Sequence, residues 1–240
     1  MIARALLVGR AALATIVIGI GAEACSLGRV GPASGVLVAP EGRFESEIVA
    51  FADSDRVNPP APGGIVFVGS SSIRLWPDLR SYFPGLNVIQ RGVGGSRLDE
   101  VVQYAPRIVL PYRPKLVVLY AGENDIAEGR TPAQVFADYS RFVGLVQSEL
   151  PATPIAYISI KPSPSRWELV DKMRAANTMI QQYIASHTGQ TYVDVFSPMI
   201  GANGRPRPEL FVSDSLHMTR AGYAIWQHLL TPIVGQAQGH

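Results

Sequence analysis

Serine, glycine, asparagine, aspartate and histidine stand in this chain where they could act on one bond. Ile65-Val-Phe-Val-Gly69 is a run of strand formers ending in a glycine. Ser70, Ser71 and Ser72 follow at once, before Ile73, Leu75 and Trp76 resume an apolar pattern. A hydroxyl at such a strand-to-helix junction meets free N–H groups and a helix dipole that favour negative charge. Three more groups resemble it in position: Arg91-Gly-Val-Gly-Gly-Ser96, Ala121-Gly-Glu-Asn-Asp125 and Ser213-Asp-Ser-Leu-His217. Together they offer a hydroxyl, uncrowded backbone amides, a neutral amide donor, and a carboxylate three residues before an imidazole. Acyl transfer to a serine needs that inventory. The imidazole removes the serine proton, the carboxylate holds its tautomer, and the donors meet the oxyanion.

Each group alone has a plainer reading. Gly-Ser-Ser-Ser is an ordinary helix cap, Gly94-Gly95 a turn, Asn124-Asp125 a turn or cap, and a lone His217 a surface residue. Asp125 reads as structural, capping or tying its loop. His187, His228 and His240 lack companions at ligand spacing, so no metal site is expected. Gly92-x-Gly-Gly lacks the full spacing and later acidic partner of a dinucleotide fingerprint, so no cofactor is expected.

What could gather the four groups is a parallel sheet, whose strands all end on one edge. Apolar runs at 65–69, 87–91, 115–121, 154–160 and 191–196 predict five strands. Helical patterns lie around them. Phe44, Ile48 and Phe51 mark one helix, ended by Asn58-Pro-Pro-Ala-Pro-Gly-Gly64. Thr131-Pro132-x-Gln134 opens another with a capping box, and Val135, Tyr139, Phe142, Val143, Val146 and Leu150 form its apolar face. Leu169, Met173, Ala176, Ile180 and Ile184 mark a third, and Ile225, Trp226, Leu229 and Ile233 a last. Alternation of this kind predicts one three-layer α/β/α domain over 43–240 with a mainly parallel five-stranded sheet.

The chain has 240 residues, 47% hydrophobic and 17% charged, enough to fill one core, and its net charge of +2 is scattered, which does not suggest nucleic acid binding. Arg4 and Arg10 precede an apolar run from Ala11 to Ile20 and then Ala22-Glu23-Ala24, the outline of a signal peptide over 1–24 and hence of export. The competing reading, a membrane anchor, has a short run to work with. Residues 25–42 read as a flexible tether. Cys25, the only cysteine, excludes an internal disulfide and stands where a lipoprotein would be lipidated, although Ala22 and Glu23 fit that pattern poorly.

In these blocks the chain resembles the SGNH, or GDSL, family of serine hydrolases, from about Phe44 to Pro232. The resemblance implies a flavodoxin-like sheet, a Ser-His-Asp triad and no cofactor. Ser71 matches the nucleophile, with Ser70 and Ser72 as alternatives one position away. Asp214 and His217 match acid and base. Gly95, Asn124 and the Ser71 N–H match the oxyanion donors. Ser70 stands where the family usually has Asp, and Gln90 where many members have Asn. The activity implied is ester hydrolysis, and a short chain with no obvious lid segment points to short acyl or acetyl esters of small molecules or carbohydrates. Polysaccharide deacetylation is the alternative, and a non-catalytic envelope-associated binding protein comes after it. Arg166 and Trp167, in Lys161-Pro-Ser-Pro-Ser-Arg-Trp167, could wall the substrate pocket or belong to a rigid proline loop.

Overall fold

The computed structural model describes residues 42–237, so the expected leader, nearly all of the tether, Cys25 and His240 lie outside the described residues. In chain order the elements are α1 (Glu45–Val57), β1 (Ile65–Gly69), α2 (Ser71–Arg74), α3 (Leu79–Tyr82), β2 (Val88–Gly92), α4 (Leu98–Ile108), β3 (Leu116–Tyr120), α5 (Glu123–Ala127), α6 (Pro132–Glu149), β4 (Ile155–Ile158), α7 (Val170–Ala185), β5 (Gln190–Val193) and α8 (Arg220–Gln236). The five strands form one parallel sheet in the order β2-β1-β3-β4-β5. Chain order reverses at β1, between β2 and β3, and ligands of such sheets bind beyond the carboxyl ends at that point.

The period of two along each strand divides the core between two faces. Val66, Val68, Val117, Leu119 and Tyr157 pack under α1, α4, α6 and α7. Ile65, Phe67, Val118, Tyr120 and Ile158 pack against α2, α3 and α8. On this second face Trp76 stacks on Tyr223 with centroids 4.9 Å apart and meets Trp226 edge-on at 5.7 Å, contacts worth about 0.5–1.5 kcal/mol each beyond the area they bury.

Several expected boundaries contract for identifiable reasons. Strand β4 stops at Ile158 because the Asn177 side chain then takes over the backbone bonds of Ile160, accepting its N–H at 2.8 Å and donating to its carbonyl at 2.9 Å. Strand β5 stops at Val193, after which the N–H groups of Val195 and Phe196 turn to the Ser159 hydroxyl. The capping box at Thr131 and Gln134 is present, with Gln134 N–H donating to Thr131 Oγ1 at 3.2 Å and Thr131 N–H to Gln134 Oε1 at 2.8 Å. In α8 the deepest residues are Tyr223, Trp226, Leu230 and Val234, while Ile225, Leu229 and Ile233 pack at the margin. The Tyr223 hydroxyl, donating to Ser72 O at 2.9 Å, helps set that rotation.

Gly69 is required by a close approach. Its φ is +141°, and a Cβ there would lie 1.8 Å from Tyr120 O. Beyond it, the loops after β2 and β3 are tied together. Arginine has no acceptor with which to cap α4 from position 97. Instead Asp125 reaches over from α5 and accepts the Leu98 N–H at 3.1 and 3.0 Å, the tie that the sequence suggested for this aspartate.

Asp125 is fully buried, and desolvation pushes its carboxyl from its ordinary 3.8 up to about 6, against the opposing pull of the Leu98 N–H and Arg130. Between those values the folded chain keeps a proton that the unfolded chain has released. This contribution to stability therefore falls as pH rises through the window and is constant above about 6. Asp125→Asn retains an acceptor for Leu98 without the titration. The stability of Asp125→Asn relative to wild type should thus rise by on the order of 2–3 kcal/mol from about pH 4 to 6.5, read from denaturant melts. A difference that stays constant across the window would show that the carboxyl is not desolvated.

Candidate active site

Ser71 opens α2 with its hydroxyl 3.0 Å from His217 Nε2. Its neighbours Ser70 and Ser72 are buried. Ser70 is the N-cap residue, with its N–H on Tyr120 O. Of the three serines, Ser71 is the one whose hydroxyl meets the imidazole. Gln90 reaches from β2 and donates to the carbonyls of Ile73, at 2.6 Å, and Trp76, at 3.1 Å, closing the far end of the Ser71 turn.

The imidazole and its carboxylate come from a tight loop ahead of α8. Phe211 and Met218 bridge in antiparallel fashion, and Val212 N–H donates to His217 O at 2.8 Å. Within the loop Asp214 Oδ1 accepts the N–H groups of Leu216 and His217 at 2.8 and 2.9 Å, and Oδ2 lies 2.6 Å from His217 Nδ1. Desolvation raises the Asp214 carboxyl, but the ring bond and the two backbone donors outweigh it and hold the group down to about 2. It is therefore charged throughout the physiological range.

Two further strand ends lie beside the one that bears Ser71. Gly95, with φ of +78° in the left-handed region, turns the loop after β2, the conformation that admits glycine most readily. Asn124 lies in the first turn of α5. Its Nδ2 donates to Ser96 O at 3.0 Å, and its Oδ1 accepts from Arg166 Nη1 at 3.0 Å. The expected residues 71, 95, 124, 214 and 217 are thus carried by neighbouring loops on one edge of the sheet.

Arg166 and Trp167 lie in a short 3-10 segment, Pro164–Leu169, after β4. Arg166 reaches Asn124, while Trp167 has the guanidinium groups of Arg205 and Arg174 at 5.3 and 5.7 Å from its ring centre. Sequence reasoning missed what lies beneath. Glu123 Oε2 accepts from Lys161 Nζ at 2.6 Å and from the Tyr120 hydroxyl at 2.8 Å, its Oε1 accepts from the Ser163 hydroxyl, and all four residues are buried. Burial alone would raise the Glu123 carboxyl; Lys161 and Arg166 outweigh it and hold it low. Opposite charges at the ends of adjacent strands, Glu123 after β3 and Lys161 after β4, were the available signal. Nearby, Asp99, Asp125 and Asp138 bring their carboxylates within 4.8 Å of one another, and Arg130 sits among them with Nη1 3.1 Å from Asp99 and Nε 3.5 Å from Asp125. That guanidinium supplies the positive charge the trio shares.

The family model for the GDSL-like lipase/acylhydrolase family matches residues 67–225. No curated protein matches the chain in sequence. Among solved structures, a GDSL-like lipase from Bacteroides thetaiotaomicron is 22% identical, with TM-score 0.70 over 80% of this chain and 98% of that one. A lipase/acylhydrolase from Enterococcus faecalis is 20% identical, with TM-score 0.62 over 74% and 96%. A catalytic mutant of an acetylxylan esterase from Geobacillus stearothermophilus is 15% identical, with TM-score 0.58 over 73% and 95%. At these identities the structures speak for the fold, while the family match spans all four strand-end groups from Ser71 to His217. On that match the chain belongs to the GDSL-like lipase/acylhydrolase family of serine ester hydrolases.

Proposed function

We propose that the protein is an exported carboxylic ester hydrolase working through an acyl-enzyme on Ser71, with short acyl or acetyl esters as substrates. The observation that carries this reading is the unbroken line from Ser71 Oγ to His217 Nε2, 3.0 Å, and from His217 Nδ1 to Asp214 Oδ2, 2.6 Å. Ser71 Oγ attacks the ester carbonyl carbon while its proton passes to His217 Nε2. The carbonyl electrons collect on oxygen, which the N–H groups of Ser71 and Gly95 and the second Nδ2 hydrogen of Asn124 receive. Collapse of this intermediate breaks the C–O bond, and His217 returns the proton to the leaving alkoxide. Water then repeats the sequence on acyl-Ser71, releasing acid and free hydroxyl. Asp214 stays ionised and stabilises the imidazolium formed in each half-reaction.

Acetylated carbohydrate is the second reading of the alcohol side, supported by likeness in fold to an acetylxylan esterase. Export rests on the residue pattern of 1–24, with Cys25 as the site of a lipid if one is attached. Sequencing the amino terminus of the mature protein should return a chain beginning at Cys25, blocked if lipidated. An unprocessed Met1 in the exported fraction would remove the signal-peptide reading.

Hydrolysis of p-nitrophenyl esters should be greatest for acetyl, decline toward palmitoyl, and fall by roughly 10⁴ to 10⁶ in kcat on Ser71→Ala. Wild-type rates in Ser71→Ala would overturn the serine mechanism. Because Asp214 is charged down to about pH 2, the acid limb of kcat/KM should report one proton, with no carboxylate limb above pH 4. The Asp214 side chain is 47% exposed, so solvent can reach the ring it holds once its charge is removed. Asp214→Asn should therefore cost less than Ser71→Ala, and equal losses would show that water gives the ring no support.

A further inference from the structure

Asn124 can hold an oxyanion only if its amide group, and not its carbonyl, faces the reacting atom. A carboxamide is nearly symmetric in shape, so its surroundings must choose the orientation. Two contacts do so here. The backbone carbonyl of Ser96 takes one hydrogen of Nδ2 at 3.0 Å, and Arg166 Nη1 donates to Oδ1 at 3.0 Å. Turning the amide over would set Oδ1 against the Ser96 carbonyl and Nδ2 against a guanidinium, opposing acceptor to acceptor and donor to donor.

We propose that Arg166 is a positioning residue of the oxyanion hole, fixing and polarising the Asn124 carboxamide instead of binding the substrate. The proposal rests on the hydrolase reading above and goes beyond it. The backbone that carries Arg166 is itself held in place. Lys161 Nζ donates to Glu123 Oε2 and to the Ser163 hydroxyl, each at 2.6 Å, and Ser163 donates to Glu123 Oε1. Arg166 N–H donates to Ser163 O at 3.1 Å, and Ser165 N–H to Ser215 O at 3.1 Å, within the loop that bears Asp214 and His217. The segment 161–166 thus joins the oxyanion side of the site to the base side. Glu123 already has Lys161, Tyr120 and Ser163 as hydrogen-bond donors, and Arg166 stands 3.9 Å from it. Arg166 adds its charge to that of Lys161 in holding Glu123 ionised, but its side-chain hydrogen bond goes to the amide. A positive charge behind Oδ1 also draws electron density from Nδ2 and strengthens it as a donor. The Arg166 side chain is only 21% exposed, so a substitution there has to keep most of its volume, as methionine does.

The test is a double-mutant cycle with p-nitrophenyl acetate as substrate, comparing Arg166→Met in the wild-type and Asn124→Ala backgrounds. If Arg166 acts through Asn124, Arg166→Met should lower kcat roughly tenfold with KM within about twofold, and should change an Asn124→Ala enzyme by less than about twofold. Arg166→Lys keeps the charge and one donor and should recover part of the loss. Should Arg166→Met not fold, as thermal melting would reveal, Arg166→Lys in the same two backgrounds carries the same comparison with a smaller expected loss. Equal losses in both backgrounds, or a loss confined to KM, would overturn the inference alone and return Arg166 to the substrate pocket. Asn124→Ala should itself fall by about 10² to 10³ in kcat, and wild-type turnover in that variant would sink the oxyanion assignment and this inference with it.

Discussion

The organisation of the site depends on the contact between the ends of β1 and β3. Gly69 lies against the Tyr120 carbonyl, so close that a methyl group would stand 1.8 Å from its oxygen. The Ser70 N–H then donates to Tyr120 O at 3.0 Å, and Gly69 O accepts from Val93 N–H at 2.7 Å. These bonds carry the sheet's pairing one step past its last ladder rungs and join three strand ends. Ser71 follows directly from the first, the Gly95 turn from the second, and the Asn124 turn from the third. No loop in this cluster has to find its place independently, so the entropy of ordering each is spread over a rigid frame.

Electrostatics then complete what the frame positions. Burying Glu123 and Lys161 beneath the site is unfavourable unless both are satisfied, and here the carboxylate oxygens have three hydrogen-bond donors between them. Asp125 represents the opposite choice. It is held by a backbone N–H and a guanidinium 3.5 Å away, and desolvation keeps its carboxyl well above its usual range. Two acidic residues two positions apart in the same short helix therefore differ in proton affinity because one faces an ammonium group and the other faces a helix end. Asn124 lies between them and contributes the neutral donor.

The parts of this arrangement that were legible in the sequence are those governed by local pattern. Apolar runs gave the five strands, and Thr131 with Gln134 gave a helix start, because periodicity and capping are short-range effects. The strand-end groups could be recognised because a parallel sheet puts all carboxyl ends on one edge. What stayed hidden depends on contacts distant in sequence. The serine triplet could not be resolved until His217, 146 residues away, met one hydroxyl. Strands β4 and β5 end early because of Asn177 and Ser159, whose side chains replace ladder partners that the apolar pattern implied. Gln90, seen only as a departure from family habit, closes the Ser71 turn through carbonyls 17 and 14 residues away. Lys161 gave no periodic signal, since a charged residue after a strand is ordinarily on the surface.

The stack of Trp76 on Tyr223, with the Tyr223 hydroxyl on Ser72 O, has a consequence in time. It joins the turn that bears Ser71 to a helix beginning three residues after His217, near the end of the described chain. A nascent polypeptide can complete β1 to β4 and shape the serine's turn with nothing yet present to accept its proton. On the proposed mechanism the hydroxyl has no base until the segment leading into α8 brings the imidazole to it. On that mechanism the reacting pair is thus completed late in synthesis, and a chain interrupted before His217 would lack its base however well its sheet had formed.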